Sequence, residues 1–184
     1  MRSAIESEEA MKRHAILLLL GIVFLTFQTT LLSYLPIQRI RPDIILVLIL
    51  YWGFTLPPVS GGIHAFFLGY LMDLFSGNSF GLYTFTRPLL FYLAQLFKGR
   101  FYLESLLSQS LFVFVFALFE GLLILTLLAA LNPAPLGNLY SPFFTFFLPQ
   151  SFLTGMITPV LFFLLQKLFI TLFRTQEMGL SERG

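Results

Sequence analysis

The stretch Ser105–Leu131, SLLSQSLFVFVFALFEGLLILTLLAAL, decides the fold class of this chain. Its 27 residues carry one charged side chain, that of Glu120. A helix needs about 20 consecutive apolar residues to cross a bilayer, because each residue adds ~1.5 Å of rise. This stretch is long enough to cross with some tilt. It therefore predicts a transmembrane helix, and with it a membrane protein.

The composition of the whole chain supports the same class. Its 184 residues include only 11 Lys+Arg and 9 Asp+Glu, whereas 57% are hydrophobic and 24 are Phe. The charged fraction is 11%, well below the about 25% of soluble domains, which need charge to cover their surface. A soluble enzyme, a nucleic-acid-binding protein and a disordered chain are therefore excluded. Because there is no Cys and there are only two His, we expect no metal or cofactor.

Charged and turn-forming residues divide the chain into six apolar segments. We predict an all-α, polytopic integral membrane protein with short loops and about six transmembrane helices: Ala15–Leu35, Ile44–Leu56, Val59–Phe75, Leu82–Phe97, Ser105–Leu131 and Leu148–Phe173. They form a single domain, 15–173, between a cytoplasmic N-terminal segment, 1–14, and a cytoplasmic tail, 174–184. The second and third segments are short for a span, and the fourth contains Arg87 and Pro88. At the second segment, either the membrane is thinned or the helix continues through Pro57–Pro58. Ser141–Phe147 is predicted to lie at the membrane interface.

The distribution of Lys and Arg predicts the orientation. With both termini in the cytoplasm, 8 of the 11 basic residues lie on the cytoplasmic side: Arg2, Lys12, Arg13, Lys98, Arg100, Lys167, Arg174 and Arg183. Arg39 and Arg41 would lie outside. Because basic residues are enriched in cytoplasmic loops, this distribution favours an N-in, C-in topology.

The third segment carries a stripe of small residues that ends in a carboxylate. Gly61, Ala65, Gly69 and Asp73 recur every four residues, which keeps them on one slowly drifting face of a helix. Small residues let another helix approach the backbone closely, and a carboxylate in a membrane faces protein rather than lipid. The stripe therefore predicts either packing within the chain or a surface for a partner helix, a small ligand or an ion.

Arg87 and Glu120 are the other ionisable groups inside apolar segments. Arg87 lies ~5 residues from the outer end of its helix and Asp73 lies near the outer end of the preceding one, so we predict an Asp73–Arg87 pair across the Ser76–Gly81 turn. Glu120 lies ~16 Å deep and would meet Arg87 only if a helix tilts. Such charges mark a functional site or fix the register of the helices, and the sequence leaves both open.

Three further features indicate local structure. Pro42 suits the first position of the second helix, with Asp43 in the first turn, where the helix dipole favours an anion. His64 is expected to be a hydrogen-bonded packing residue rather than a ligand. A second small, weakly polar face on the last helix also predicts packing; it comprises Ser151, Thr154, Gly155 and Thr158.

The stretch from Arg41 to Leu93 resembles the rod shape-determining protein MreD family. It contains Arg41-Pro42-Asp43 before an apolar run, and a glycine-rich third helix ending in Gly69-Tyr70-Leu71-Met72-Asp73. A glycine and a Gly-Leu-Tyr sequence then follow. The residues that match the family pattern are Pro42, Asp43, Gly62, Gly69, Asp73, Gly77, Gly81 and Tyr83.

The resemblance implies a non-enzymatic component of the bacterial elongation machinery in the inner membrane. Such a protein would work with MreC and, through it or directly, with the actin-like MreB, the RodA glycosyltransferase and a class B penicillin-binding transpeptidase. Its role would be to position sidewall peptidoglycan synthesis and so maintain a rod-shaped cell.

Two other functions remain open on the sequence. Size and helix count are similar to those of the substrate-binding membrane subunit of an energy-coupling-factor vitamin transporter. Those subunits typically carry Ala-x-x-x-Ala on the first helix, whereas this first segment has only Ala15. A membrane-bound acyl or lipid enzyme using Asp73, Arg87 and Glu120 ranks last, because hydrolase, phosphate-loop and zinc signatures are absent.

Overall fold

A computed structural model describes residues 2–30, 41–76, 81–99, 105–131 and 140–181. Every regular element in these ranges is helical, which confirms the all-α prediction. In chain order the elements are α1 (Arg2–Thr30), α2 (Ile44–Thr55), α3 (Pro58–Ser76), α4 (Leu82–Leu96), α5 (Leu106–Leu131), α6 (Tyr140–Pro142), the π-helix π1 (Phe143–Phe147) and α7 (Leu148–Ser181).

The bounds of α2 to α5 lie within one residue of the predicted ones, and proline or glycine marks the end of α2 and the starts of α3 and α4. α2 ends at Thr55, so the alternative in which it continues through the prolines is wrong. α3 begins at Pro58, where a missing N–H costs nothing because the first turn has no intrahelical acceptor for it. Gly81 precedes α4 with φ of 99°, a left-handed conformation that suits glycine.

The first and last helices differ from the prediction. α1 begins at Arg2 rather than at Ala15, and the predicted end of the first helix, residues 31–35, lies outside the described residues. The segment predicted to lie at the interface is helical and continuous with α7, through α6 and π1, and its place at the interface stays a prediction. α7 itself extends past the predicted end to Ser181.

Three helical segments are long and apolar enough to cross a membrane, judged by length and composition: Met11–Thr30, Leu106–Leu131 and Phe143–Thr171. They make this a membrane protein, as the composition predicts. α2 has only 12 residues, or about 18 Å at the usual helical rise, and is too short to cross unaided. The prediction of about six spans therefore stays a prediction.

α2 is the central helix, and α1, α3, α4, α5 and α7 all pack against it. Each residue from Ile44 to Leu50 is buried, and so are Trp52 and Gly53. Its sequence is apolar on every side, which is typical of a helix surrounded by protein or lipid. A short helix with no polar face thus forms the core of the domain.

Two apolar clusters meet on opposite sides of α2. One joins Ile45, Leu48, Ile49 and Trp52 to α1 and α3, through Leu17, Leu25, Ala65, Leu68 and Met72. The other joins Leu46, Val47 and Leu50 to α4, α5 and α7, through Leu90, Ala94, Phe112, Val113, Phe116, Ala117 and Phe162. The aromatic rings of α5 therefore pack inside the protein at these positions rather than against lipid.

Glycines allow the closest helix contacts. A Cβ added at Gly69 would overlap the backbone of Tyr83 and Thr84, and one at Gly53 would lie 2.8 Å from the Cβ of Ala94. A Cβ at Gly21 would lie 2.7 Å from the Cδ2 methyl of Leu68. The first two contacts are with backbone or a Cβ, which cannot move alone, whereas a leucine methyl can rotate away.

This difference predicts unequal costs for two matched substitutions. We expect Gly69→Ala to lower the free energy of unfolding by about 1–3 kcal/mol, because α3 and α4 must separate. Gly21→Ala, the control, should cost less, since the side chain of Leu68 can adjust and alanine favours the helix. Reversible unfolding in mixed micelles measures both; equal effects would contradict the α3–α4 contact.

Candidate functional site

Arg87 lies at the centre of a buried group of charges. Its guanidinium, on the second turn of α4, is fully buried, with 0% of the residue exposed. Its Nη2 donates to Oδ2 of Asp43 at 2.5 Å, and its Nη1 donates to Oε2 of Glu120 at 3.2 Å. One cation therefore joins α4 to the start of α2 and to the middle of α5.

Asp43 connects this group to a fourth helix. It is the N-cap of α2, and its Oδ1 accepts a hydrogen bond from the backbone N–H of Leu46 at 2.9 Å. Its own N–H donates to Oγ1 of Thr154 on α7 at 3.0 Å. The prediction that Pro42 takes the first helical position, with Asp43 in the first turn, is therefore wrong, because the helix begins later, at Ile44. Asp43 caps the helix and Pro42 precedes the cap.

α1 supplies another acceptor for the start of α2. The backbone N–H of Ile45 donates to Oε1 of Gln28 at 3.0 Å. The first N–H groups of a helix have no partner within it, and burial without acceptors would be costly. Because α2 begins inside the protein, Gln28 and Asp43 provide the acceptors that water would otherwise supply.

A small cavity lies beside the charged group. Tyr83 packs its ring against the guanidinium of Arg87, with 5.3 Å between Cζ and the ring centroid, and also lines the cavity. The cavity has a volume of about 40 Å³. Its other lining residues are Asp43, Leu46, Ala117, Glu120, Gly121, Ile124, Phe147, Gln150, Ser151 and Thr154. Oε1 of Glu120 makes no hydrogen bond within the described part of the chain.

Asp73 has partners other than the one predicted. Its carboxylate accepts hydrogen bonds from the backbone N–H groups of Gly81 (3.1 Å), Tyr83 (2.9 Å) and Thr84 (2.8 Å), and from the hydroxyl of Thr84. The predicted Asp73–Arg87 pair is therefore wrong. Arg87 pairs with Asp43 and Glu120 instead, and the approach to Glu120 that seemed to need helix tilt is the one that forms.

The start of α4 explains what Asp73 does. Gly81 occupies the N-cap position and has no side chain to accept from the first N–H groups. Asp73 reaches across from α3 and takes that place. The close backbone approach at Gly69 brings the two helices near enough for this. Four residues of the family pattern thus form one structural unit, namely Gly69, Asp73, Gly81 and Tyr83; Gly77 lies outside the described residues.

The small-residue stripe of α3 lies against α4. A Cβ at Gly61 would overlap the ring of Phe91, and one at neighbouring Gly62 would overlap the hydroxyl of Tyr92. Ala65 is fully buried in the core. Since α4 covers this face, a helix of another protein has no access to it in this structure.

His64 and the polar face of α7 are buried as packing residues. The Nδ1 of His64 lies 2.5 Å from the carbonyl oxygen of Ser60, and its ring contacts Trp52 edge-on at 5.7 Å. On α7, Ser151, Thr154, Gly155 and Thr158 are buried, and each of the three hydroxyls donates to a backbone carbonyl four residues earlier.

Two hydrogen bonds at the start of α2 were not among the contacts predicted from the sequence. They join the N–H of Asp43 to Thr154 and the N–H of Ile45 to Gln28. The acceptor role of Thr154 had one available signal, a hydroxyl on the packing face of α7. Gln28 had a similar one, an amide inside an otherwise apolar segment, where an unpaired polar group is costly.

The three ionisable residues considered for an enzyme site do not come together in this structure. Asp73 is occupied by the start of α4, so it does not join Arg87 and Glu120 in one site. Within the described ranges, no group of three or more His, Cys, Asp or Glu residues could hold a metal ion. What the charged side chains do in this geometry is tie α2, α4, α5 and α7 together.

The chain matches the model of a known protein family. The model of the family described as rod shape-determining protein MreD matches residues 11–172, which is most of the chain. The comparisons with curated proteins and with solved structures give no match.

Replacing Arg87 with an uncharged residue tests the structural role of its guanidinium. Arg87→Met leaves two buried carboxylates without their partner, so we expect the free energy of unfolding to fall by about 3–5 kcal/mol. Arg41→Met removes an exposed arginine and should change it by less than about 0.5 kcal/mol. Reversible unfolding in mixed micelles measures both, and a tolerated Arg87→Met would contradict the charge arrangement.

A second substitution tests the cap on α4. Asp73→Asn keeps the shape of the side chain but replaces an acceptor oxygen with a donor facing backbone N–H groups. We expect a loss of about 1–3 kcal/mol, the usual penalty for leaving buried donors unpaired. Ser76→Ala, at the exposed end of the same helix, is the control. Amide hydrogen exchange should also rise at Tyr83 and Thr84; unchanged protection there would count against the cap.

Proposed function

Because this chain belongs to the MreD family of rod shape-determining proteins, we propose that it is a non-enzymatic scaffold of the bacterial elongation machinery. Family membership over residues 11–172 supports a role in rod shape determination and is the observation that carries the proposal. In the proposed role, the protein holds sidewall peptidoglycan synthesis in place at the inner membrane and so maintains the rod shape of the cell.

The use of the charged residues supports a structural protein. Arg87, Asp43 and Glu120 hold helices to one another, and Asp73 caps a helix. An acid–base site would need a side chain placed for proton transfer to a substrate. In a scaffold, the same groups give a rigid body that presents fixed outer faces to its partners. We therefore assign the motif residues to the internal structure rather than to a contact with another protein.

The proposed partners are MreC and, through it or directly, MreB, RodA and a class B penicillin-binding transpeptidase. The outer helices offer surface for transmembrane partners as well as for lipid. In the span Met11–Thr30 only 17% of the most apolar window is buried inside the protein, and in Phe143–Thr171 only 33%. Contacts between transmembrane helices rest on close packing, so helices of partner proteins can replace lipid on such faces.

Basic residues at one end of the bundle support the proposed N-in, C-in, multi-pass topology in the inner membrane. His64 near the start of α3 contacts His14 of α1, and Gln95 near the end of α4 donates to the carbonyl of Leu56 at 2.9 Å. The basic residues nearby, Lys12, Arg13 and Lys98, therefore lie at the same end. The positive-inside rule favours placing that end in the cytoplasm.

The transporter-subunit alternative gains no support from the buried cavity. Sites for small molecules usually have volumes of about 300–1,000 Å³. The cavity beside Glu120 has about 40 Å³, which is far too small for a vitamin. The family match favours the shape-determining role.

Depletion in the host tests the proposal. Cells that lose this protein should become round, because sidewall synthesis loses its placement, and plasmid-borne protein should restore rods. Cell aspect ratio and the pattern of newly inserted fluorescent D-amino acids are the measurements. Rods of unchanged width with unchanged insertion sites would contradict the proposed function.

Matched variants connect the phenotype to the structure. Arg87→Met should fail to restore rods and should reduce the amount of folded protein in the membrane, whereas Leu107→Ala, at a position 81% exposed, should restore them. Full rescue by Arg87→Met at normal abundance would separate the charged group from the role in cell shape.

A further inference from the structure

We propose that one anionic phospholipid binds to the lipid-facing side of α4, with an acyl chain in a groove on this helix and its phosphate beside Lys98. The groove has a volume of about 310 Å³. Within the described ranges it is lined by Leu89, Tyr92, Leu93, Gln95 and Leu96. The inference rests on the protein lying in a membrane and does not depend on its role in cell shape.

The first argument is the direction of the groove. Its four apolar lining residues are spaced i, i+3, i+4 and i+7, so they lie on one face of α4. From Leu89 to Leu96 this face extends about 10 Å along the helix at the usual rise. Helices that cross a bilayer are tilted only about 20° from its normal, which is the direction of the acyl chains. In the predicted fourth span, the groove therefore runs parallel to a lipid chain.

The second argument is the kind of side chain that lines the groove. Helices pack on one another in a membrane through small residues, because these let the two backbones approach. The lining in the described part of the chain is leucine, tyrosine and glutamine instead, and Tyr92 and Leu96 are both exposed. A helix is about 10 Å wide and does not enter a groove between such side chains, whereas a flexible acyl chain adapts to it.

The third argument is an ammonium group at the end of the groove. Nε2 of Gln95 donates to the carbonyl oxygen of Leu56 at 2.9 Å, and Nζ of Lys98 donates to the same oxygen at 3.5 Å. Since Gln95 also lines the groove, this shared acceptor places the ammonium beside it. Lys98 is exposed and its ammonium has three donors, so the contact with Leu56 leaves N–H groups for a phosphate.

The charge at this end of the bundle favours an anionic lipid over a neutral one. Lys12 and Arg13 lie at the same end as Lys98, as the contacts of α1 with α3 and of α4 with Leu56 show. The carboxylates whose side chains the structure describes lie in the interior or toward the other end, namely Asp43, Asp73 and Glu120. Basic residues next to the end of a membrane helix attract anionic lipids, and in the proposed topology this end faces the cytoplasm.

The test is the thermal stability of the purified full-length protein in a neutral detergent, titrated with single lipids. A ligand that binds the native state raises its stability with the logarithm of concentration above the dissociation constant. We expect the thermal midpoint to rise with phosphatidylglycerol, and to stay unchanged with phosphatidylcholine, which has no net charge. Glycerol 3-phosphate and inorganic phosphate, which lack the acyl chain, should also leave it unchanged.

Each other outcome of this titration overturns the proposal. An equal rise with phosphatidylcholine would mean that the charge at Lys98 selects nothing. A rise with either free phosphate would mean that an anion binds without using the groove. No rise with any of the four would mean that no such lipid binds.

Two matched lysine substitutions locate the charge effect. Lys98→Gln removes the ammonium but keeps a donor for Leu56, and should raise the phosphatidylglycerol concentration at the onset of the rise about fivefold, the usual effect of one basic residue. Lys167→Gln removes an equal charge from α7 and should change the onset by less than about twofold. Both lysines are exposed, so neither substitution disturbs the core. Equal shifts would indicate general surface charge and would overturn the assignment to α4.

Fluorescence quenching in vesicles locates the bound lipid without changing the groove. The chain has no Cys, so Ile63→Cys and Phe163→Cys each take one fluorescent label, at positions 63% and 65% exposed. Ile63 follows Gly62, which lies against the hydroxyl of Tyr92, whereas Phe163 is on α7. In phosphatidylcholine vesicles with a minor fraction of brominated phosphatidylglycerol, the label at 63 should be quenched several-fold more than the label at 163. Brominated phosphatidylcholine should quench both alike. Equal quenching by brominated phosphatidylglycerol would overturn the proposed site.

Discussion

The rest of the structure depends on the pairing of Arg87 with two carboxylates inside the helical bundle. A buried guanidinium without counter-charges would be far too costly, so Asp43 and Glu120 must both approach it. Asp43 fixes where α2 begins, Glu120 fixes the position of α5, and Thr154 brings in α7. Four helices of the domain are thus placed relative to one cation. The apolar clusters on both sides of α2 pack around this arrangement.

A second constraint is that the first N–H groups of two helices are satisfied by side chains of the protein. The start of α2 has its N–H groups satisfied by Asp43 and by Gln28 of α1, and the start of α4 has them satisfied by Asp73 of α3. A backbone N–H that is left without an acceptor on burial is costly. The two aspartates therefore have the same kind of role. The difference is that Asp43 also neutralises Arg87, which makes it the link between backbone capping and charge pairing.

The sequence predicts the helices better than it predicts their contacts. Pro57, Pro58 and Gly81 locate the end of α2 and the starts of α3 and α4, because proline and glycine act on the local backbone alone. The sequence also singles out Arg87 and Glu120, since any charge within a long apolar run is conspicuous.

The pairing of those charges is where prediction from sequence fails. Asp73 was matched to Arg87 by their depth in the membrane alone. That comparison leaves out the backbone N–H groups at the start of α4, which lack acceptors of their own and donate to Asp73. The central position of α2 depends on the packing of five other helices against it, which local sequence does not specify. Its shortness and its apolar character on every side were the available signal for it.

The most direct measurement is a double-mutant cycle on Asp43 and Arg87, using Asp43→Asn, Arg87→Gln and the two together in reversible unfolding from lipid bicelles. If the pair holds the domain together, the second substitution should cost much less once the first has been made, with a coupling of about 1–3 kcal/mol. Costs that add to within about 0.3–0.5 kcal/mol would show that the two residues act independently, and would contradict a domain organised around Arg87.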